Sequence, residues 1–144
     1  MKKRWKKRSM SGARVVLDSF ALIAYFRGES AAVAVRDLLQ LAASRDTPVL
    51  MTEANYAEVK YQLLRKEGQD GWMRAAALLT TLPIEFHPVT RALADVAADF
   101  KARHKLNLAD AVAAALARES KAELITGDPE FKALEKEIKI GWLS

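Results

Sequence analysis

The run Val15-Val16-Leu17, followed at once by Asp18, constrains the fold of this chain more than any other feature of it. Three consecutive apolar residues, two of them β-branched, leave no polar face for solvent. That is the pattern of a strand covered on both sides in a parallel sheet. A carboxylate directly after such a strand stands at the carboxyl edge of the sheet, where open α/β folds bind their ligands. The same Asp is an equally good N-cap for the apolar, helical run that follows it. The local sequence leaves both readings open.

Further strand-like runs recur at 49–51, 84–87, 123–126 and 138–140, separated by helical segments at about 31–43, 53–67, 71–81, 90–104 and 108–119. Ser30, Thr52 and Asn107 stand where N-caps are expected, and Gly68 is a stop signal for the 53–67 helix. Strands alternating with helices predict an α/β fold, a three-layer α/β/α arrangement around a central, mainly parallel sheet of about five strands. No repeat or linker divides the chain, so residues 15–144 are expected to form one domain.

The formal net charge of +5 misrepresents that domain. Residues 1–14 hold seven of the 23 basic residues and no acid, leaving 16 basic against 18 acidic residues in the rest. The basic character belongs to an N-terminal tail, read as a disordered extension, although Trp5 among its lysines and arginines also suits RNA contact. Met10 is an alternative start, directly ahead of the first strand. The tail lacks the apolar core of a secretory signal. No apolar run reaches the ~18 residues of a membrane span. The absence of cysteine excludes disulfides, zinc-thiolate sites and thiol catalysis, and a cytoplasmic location is the expectation.

Four acids carry the chemistry. Asp110 is the single polar residue in LADAVAAALA (108–117), a helix apolar on all sides and therefore buried. A buried carboxylate is costly unless something compensates it. The helix dipole offers a partial account, because Asp110 lies in the first turn after Asn107. Asp128 follows the 123–126 strand as Asp18 follows the first, and Gly127 and Pro129 around it also make it a plausible cap. Glu58 shares a helix stripe with Asn55, Gln62 and Arg65, and Glu53 competes with it. Carboxylates gathered within a few ångströms repel and raise one another's pKa values. A hard divalent cation resolves that conflict, and carboxylate ligands without a Cys or His set favour Mg²⁺ or Mn²⁺ over zinc. Two such ions serve phosphoryl displacement. The residues alone therefore indicate a metal-dependent phosphodiesterase or phosphotransfer site.

Four segments in order, VVLDSFALIAYF (15–26), NYAEVKYQLLR (55–65), LNLADAVAAALA (106–117) and LITGDPEF (124–131), resemble the PIN-domain ribonucleases, specifically the VapC-type toxins of toxin–antitoxin pairs. The resemblance implies that Asp18, Glu58, Asp110 and Asp128 form the acidic Mg²⁺- or Mn²⁺-binding pocket, and it selects Glu58 over Glu53. It also implies that Ser19 and Thr126 support the pocket from behind. The implied reaction is endonucleolytic cleavage of single-stranded or looped RNA. A cognate antitoxin and a homodimer are the implied partners. Arg27, Arg103 and Lys105 are candidates for holding RNA phosphates.

Other phosphotransfer folds fit less well. A haloacid-dehalogenase phosphatase needs a second acid where Phe20 stands, and a receiver domain needs an acidic pair and a late lysine that are not evident. The alternative of a different class is a catalytically inactive PIN fold that binds RNA or a protein partner.

Overall fold

The computed structural model describes residues 14–144; the basic tail and the alternative start at Met10 lie outside the described residues, Arg14 excepted. Its elements are β1 (Val15–Leu17), α1 (Ser19–Arg27), α2 (Ala32–Ser44), β2 (Val49–Thr52), α3 (Glu53–Leu79), β3 (Ile84–His87), α4 (Arg91–Arg103), α5 (Leu108–Glu119), β4 (Glu123–Thr126), a short 3₁₀ helix (Pro129–Leu134) and β5 (Ile140–Trp142). The five strands form one sheet in the order β3-β2-β1-β4-β5, with every pairing parallel. β1 is the central strand, as its unbroken apolar run requires.

Successive side chains of a strand point to opposite faces, and the two faces bury separate cores. Val16, Leu50 and Leu124 pack with α4 and α5, including Phe100 and the α5 alanines. Val15, Leu17, Val49, Met51 and Ile125 pack against α1, α2 and α3. The result is the expected three-layer arrangement. The small side chains of Ala111 and Ala113–Ala115 let α5 lie close to the sheet, and all four are fully buried.

The span α3 holds two helical segments that meet at a kink, as expected: Gly68 leaves helical geometry there, at φ 72° and ψ −175°. Two expectations need correction. Ser30 does not cap α2: the N-cap position is Ala31, with no side-chain capping bond. The last strand is 140–142, because the Ile138 amide is still engaged with the Leu134 carbonyl at 3.1 Å in the preceding turn. Pairing with β4 begins where the Leu124 amide meets the Lys139 carbonyl at 2.9 Å.

Chain order reverses at β1. The chain builds outward through β2 and β3, then returns to place β4 on the other side of β1. The carboxyl ends of β1 and β4 therefore form the crevice at which α/β sheets accept ligands.

Candidate active site

Asp18 leaves β1 into that crevice and serves two purposes. Its Oδ1 accepts the Ala21 amide at 2.9 Å, capping α1. Its Oδ2 accepts the Thr126 hydroxyl, reaching across from β4. One carboxylate thus caps α1 and also lines the crevice. Asp18 is 1% exposed. Burial pushes its pKa up to about 7; the Thr126 and Ala21 bonds oppose the rise, and the nearby Asp128 and Glu58 charges add to it.

Thr126 is fully buried and its Oγ1 also accepts the Asp128 amide at 3.0 Å. One hydroxyl therefore fixes Asp18 relative to the loop that carries Asp128. The Asp128 side chain turns back to accept the Glu130 amide at 2.9 Å, as an N-cap for the 3₁₀ helix. Gly127 in this turn does not have a positive φ. Its reason is space: a Cβ there would lie 2.3 Å from Cε1 of Phe20.

Asp110 enters from the opposite layer. Asn107 Oδ1 caps α5 by accepting the Asp110 amide at 2.8 Å. The Asp110 side chain is buried, and its Oδ2 has no hydrogen-bond partner. Its pKa is pushed up to about 8, first by burial and then by Asp18, Asp128, Glu58 and Glu130. A dipole contribution of about 0.3–1 kcal/mol does not offset that. The helix-start account of Asp110 is insufficient.

Glu58 completes the group from α3, with Gln62 Nε2 reaching its Oε2 at 3.5 Å. One pocket, of about 230 Å³, is lined by Asp18, Ser19, Phe20, Glu58, Gln62, Lys66, Asn107, Asp110 and Asp128 among others. All four sequence-predicted acids line it. Glu53, by contrast, is exposed at the start of α3 and is not among the lining residues. Carboxylate oxygens of Asp110, Asp128 and Glu130 lie within 4.8 Å of one another.

Ser19 sits behind this wall, buried, and accepts Nδ2 of Asn55 at 2.9 Å. Asn55 in turn donates its amide to Thr52 Oγ1 at 2.9 Å, so α1 is tied to the first turn of α3.

Sequence reasoning missed Glu130, Asn55 and Lys66. The acid-x-acid spacing of Asp128 and Glu130 across a turn was the available signal for the first. Asn55 stood on the Glu58 stripe but is fully buried rather than solvated. Among the described residues Lys66 is the one cation lining the pocket; Arg27, Arg103 and Lys105 do not. Arg27 pairs with Glu29 and Glu67, and Arg103 with Glu137.

The donor set fits a hard divalent cation. It is all carboxylate, it holds one buried oxygen with nothing to bond, and it raises the pKa of two members against ionisation.

A three-layer sheet with an acidic pocket at its switch point defines a class, and comparison gives its family. The PIN-domain family model matches residues 15–137, and the chain belongs to that family. Its fold is that of VapC-type proteins. VapBC2 from Rickettsia felis, bound to a DNA fragment from its promoter, superposes with a TM-score of 0.74 at 12% identity, covering 90% of this chain and 98% of that one. VapC20 of Mycobacterium tuberculosis, a sarcin–ricin-loop-cleaving toxin, gives 0.67 at 21% identity over 83% and 93% of the two chains. A toxin–antitoxin complex from Klebsiella pneumoniae gives 0.63 at 21%, over 81% and 89%. No curated protein matches in sequence. Among the described residues no helix is long and apolar enough to cross a membrane.

Proposed function

We propose that this protein is a Mg²⁺- or Mn²⁺-dependent endoribonuclease and the toxin of a toxin–antitoxin pair. The observation that carries this reading is the gathering of Asp18, Glu58, Asp110 and Asp128, from four separate elements or loops, around one pocket whose Asp110 Oδ2 has no partner within the protein. Membership of the PIN family and the fold shared with VapC20 support it.

In this reading Asp18, Asp110 and Asp128 hold the cation, with Glu58 binding it or orienting the attacking water, and Glu130 adds an exposed oxygen at the rim. The cation supplies charge stabilisation at the phosphodiester and activation of water. Thr126 keeps Asp18 aimed and favours its ionised form, and Ser19 with Asn55 fixes the α1–α3 junction beneath Glu58. Lys66 supplies the positive charge for an RNA phosphate beside an otherwise negative pocket. The substrate is single-stranded or looped RNA, the working compartment is the cytoplasm, a cognate antitoxin covers the pocket, and the active form is a homodimer. The folded unit is residues 15–144, with the basic tail appended.

The test is cleavage of a mixed RNA pool with Mg²⁺ or Mn²⁺ against EDTA, beside Asp18→Asn. Metal-dependent cuts at discrete positions, absent from the mutant, are expected. An untouched pool, together with a melting temperature indifferent to millimolar Mn²⁺, would instead mark an inactive PIN fold used for binding.

A further inference from the structure

Phe20 is an anomaly in the acidic pocket. It is the second residue of α1, between buried Ser19 and Ala21, yet its own side chain is 41% exposed. It belongs to neither hydrophobic core. It lines the same pocket as Asp18, Asp110 and Asp128. One edge of its ring lies over Gly127, so close that a Cβ there would meet Cε1 at 2.3 Å and Cζ at 2.6 Å. The ring is therefore seated beside the pocket's carboxylates with one edge against the Gly127 backbone. A large apolar surface left in water at the rim of a charged pocket gains free energy when a flat apolar partner covers it.

We infer that Phe20 is a stacking platform for one unpaired nucleobase next to the scissile phosphate. The inference rests on the nuclease reading and deepens it, because it specifies how the substrate is held. A phosphodiester at the carboxylates puts its flanking sugar and base within reach of the pocket wall, and Phe20 is the aromatic in that wall. Lys66, lining the same pocket, complements it with charge for the backbone. A base paired and stacked in a duplex has no free face to offer, so the platform selects single-stranded or splayed-out nucleotides. Stacking tolerates every base, since each has a π face. The platform thus sets strandedness rather than sequence.

The test uses a single-stranded oligoribonucleotide that carries the strongest cut mapped in the RNA pool, as such, annealed to its complement, and with an abasic nucleotide on either side of the cut. Phe20→Ala is expected to raise KM roughly tenfold, on the scale of one lost base–aromatic stack. Phe20→Trp restores an aromatic face and should recover most of the KM lost in Phe20→Ala. Phe20→Leu keeps an apolar side chain over Gly127 but no aromatic face, and should resemble Phe20→Ala. One of the two abasic substitutions should cost wild type the same tenfold and cost Phe20→Ala nothing more, a coupling that a purely structural role would not produce. The annealed duplex should resist cleavage. Wild-type KM in both Phe20→Ala and Phe20→Leu, full additivity at both abasic positions, or cleavage of the duplex at the single-strand rate would overturn the platform while leaving the nuclease standing. A wild-type protein that cuts no RNA overturns both.

Discussion

Replacing Asp110 by Asn should stabilise the metal-free protein while removing its activity. In an unfolded chain the Asp110 carboxyl titrates near 3.8, and in the folded protein burial and neighbouring acids raise it to about 8. A group whose folded pKa is raised contributes stability that is complete below the unfolded value and is lost as pH rises through the folded one. The loss runs at about 1.4 kcal/mol per pH unit, which amounts to about 4 kcal/mol between pH 4 and pH 7. One side of the pocket is open to water, which screens the charge, and about 2 kcal/mol is the expected share. Asn keeps the shape and does not titrate. The assay is thermal unfolding in EDTA across pH 4–8. The two proteins should melt together near pH 4, and Asp110→Asn should melt roughly 6 °C higher at pH 7–8. Millimolar Mn²⁺ should then raise wild type and leave the mutant nearly unmoved. An Asp110→Asn protein that is less stable than wild type at pH 8 in EDTA would refute the argument, because it would mean that the carboxylate is compensated within the protein.

Thr126→Val keeps the volume but removes the hydroxyl that donates to Asp18 and accepts from Asp128. A loss of about 1–3 kcal/mol is expected from denaturant unfolding, and the acid limb of the pH–rate profile should move upward, since that bond opposes the rise in the Asp18 pKa. Gly68→Ala forces a side chain into φ 72°, ψ −175°, a region open essentially to glycine. It should cost about 1–3 kcal/mol at unchanged cleavage per folded molecule, measured by active-site titration beside the melt. Metal-free wild type should lose stability steadily from pH 4 to pH 8, because Asp18 and Asp110 both bind protons more tightly when folded. Metal at about 100 times its Kd should add roughly 2.7 kcal/mol at neutral pH, and a flat pH profile in EDTA would contradict the raised values.

The sequence by itself determined most of the elements and marked the acids that line the pocket. The apolar runs at 15–17 and 49–51 have no polar face and so had to be interior strands. Thr52, Thr90 and Asn107 cap their helices as local hydrogen-bonding chemistry dictates. A chain without cysteine and with an acid after each of two strand-like runs points to hard-cation chemistry. Asp110 was legible for the same reason, as a charge in an apolar helix. Tertiary structure alone decided what depends on distant parts of the chain meeting. Only the strand order puts β4 beside β1, so that Thr126 reaches Asp18 across a sequence gap of 108 residues. Only packing turned Asn55 inward, left Glu53 outside the pocket, and closed the turn that brings Glu130 to Asp110. The late start of β5 likewise came from the Ile138–Leu134 turn bond, which apolar patterning does not record. Periodicity reports which residues are buried. The raised pKa values and the seat of Phe20 on Gly127 arise from what they are buried against, and that is a property of the assembled fold.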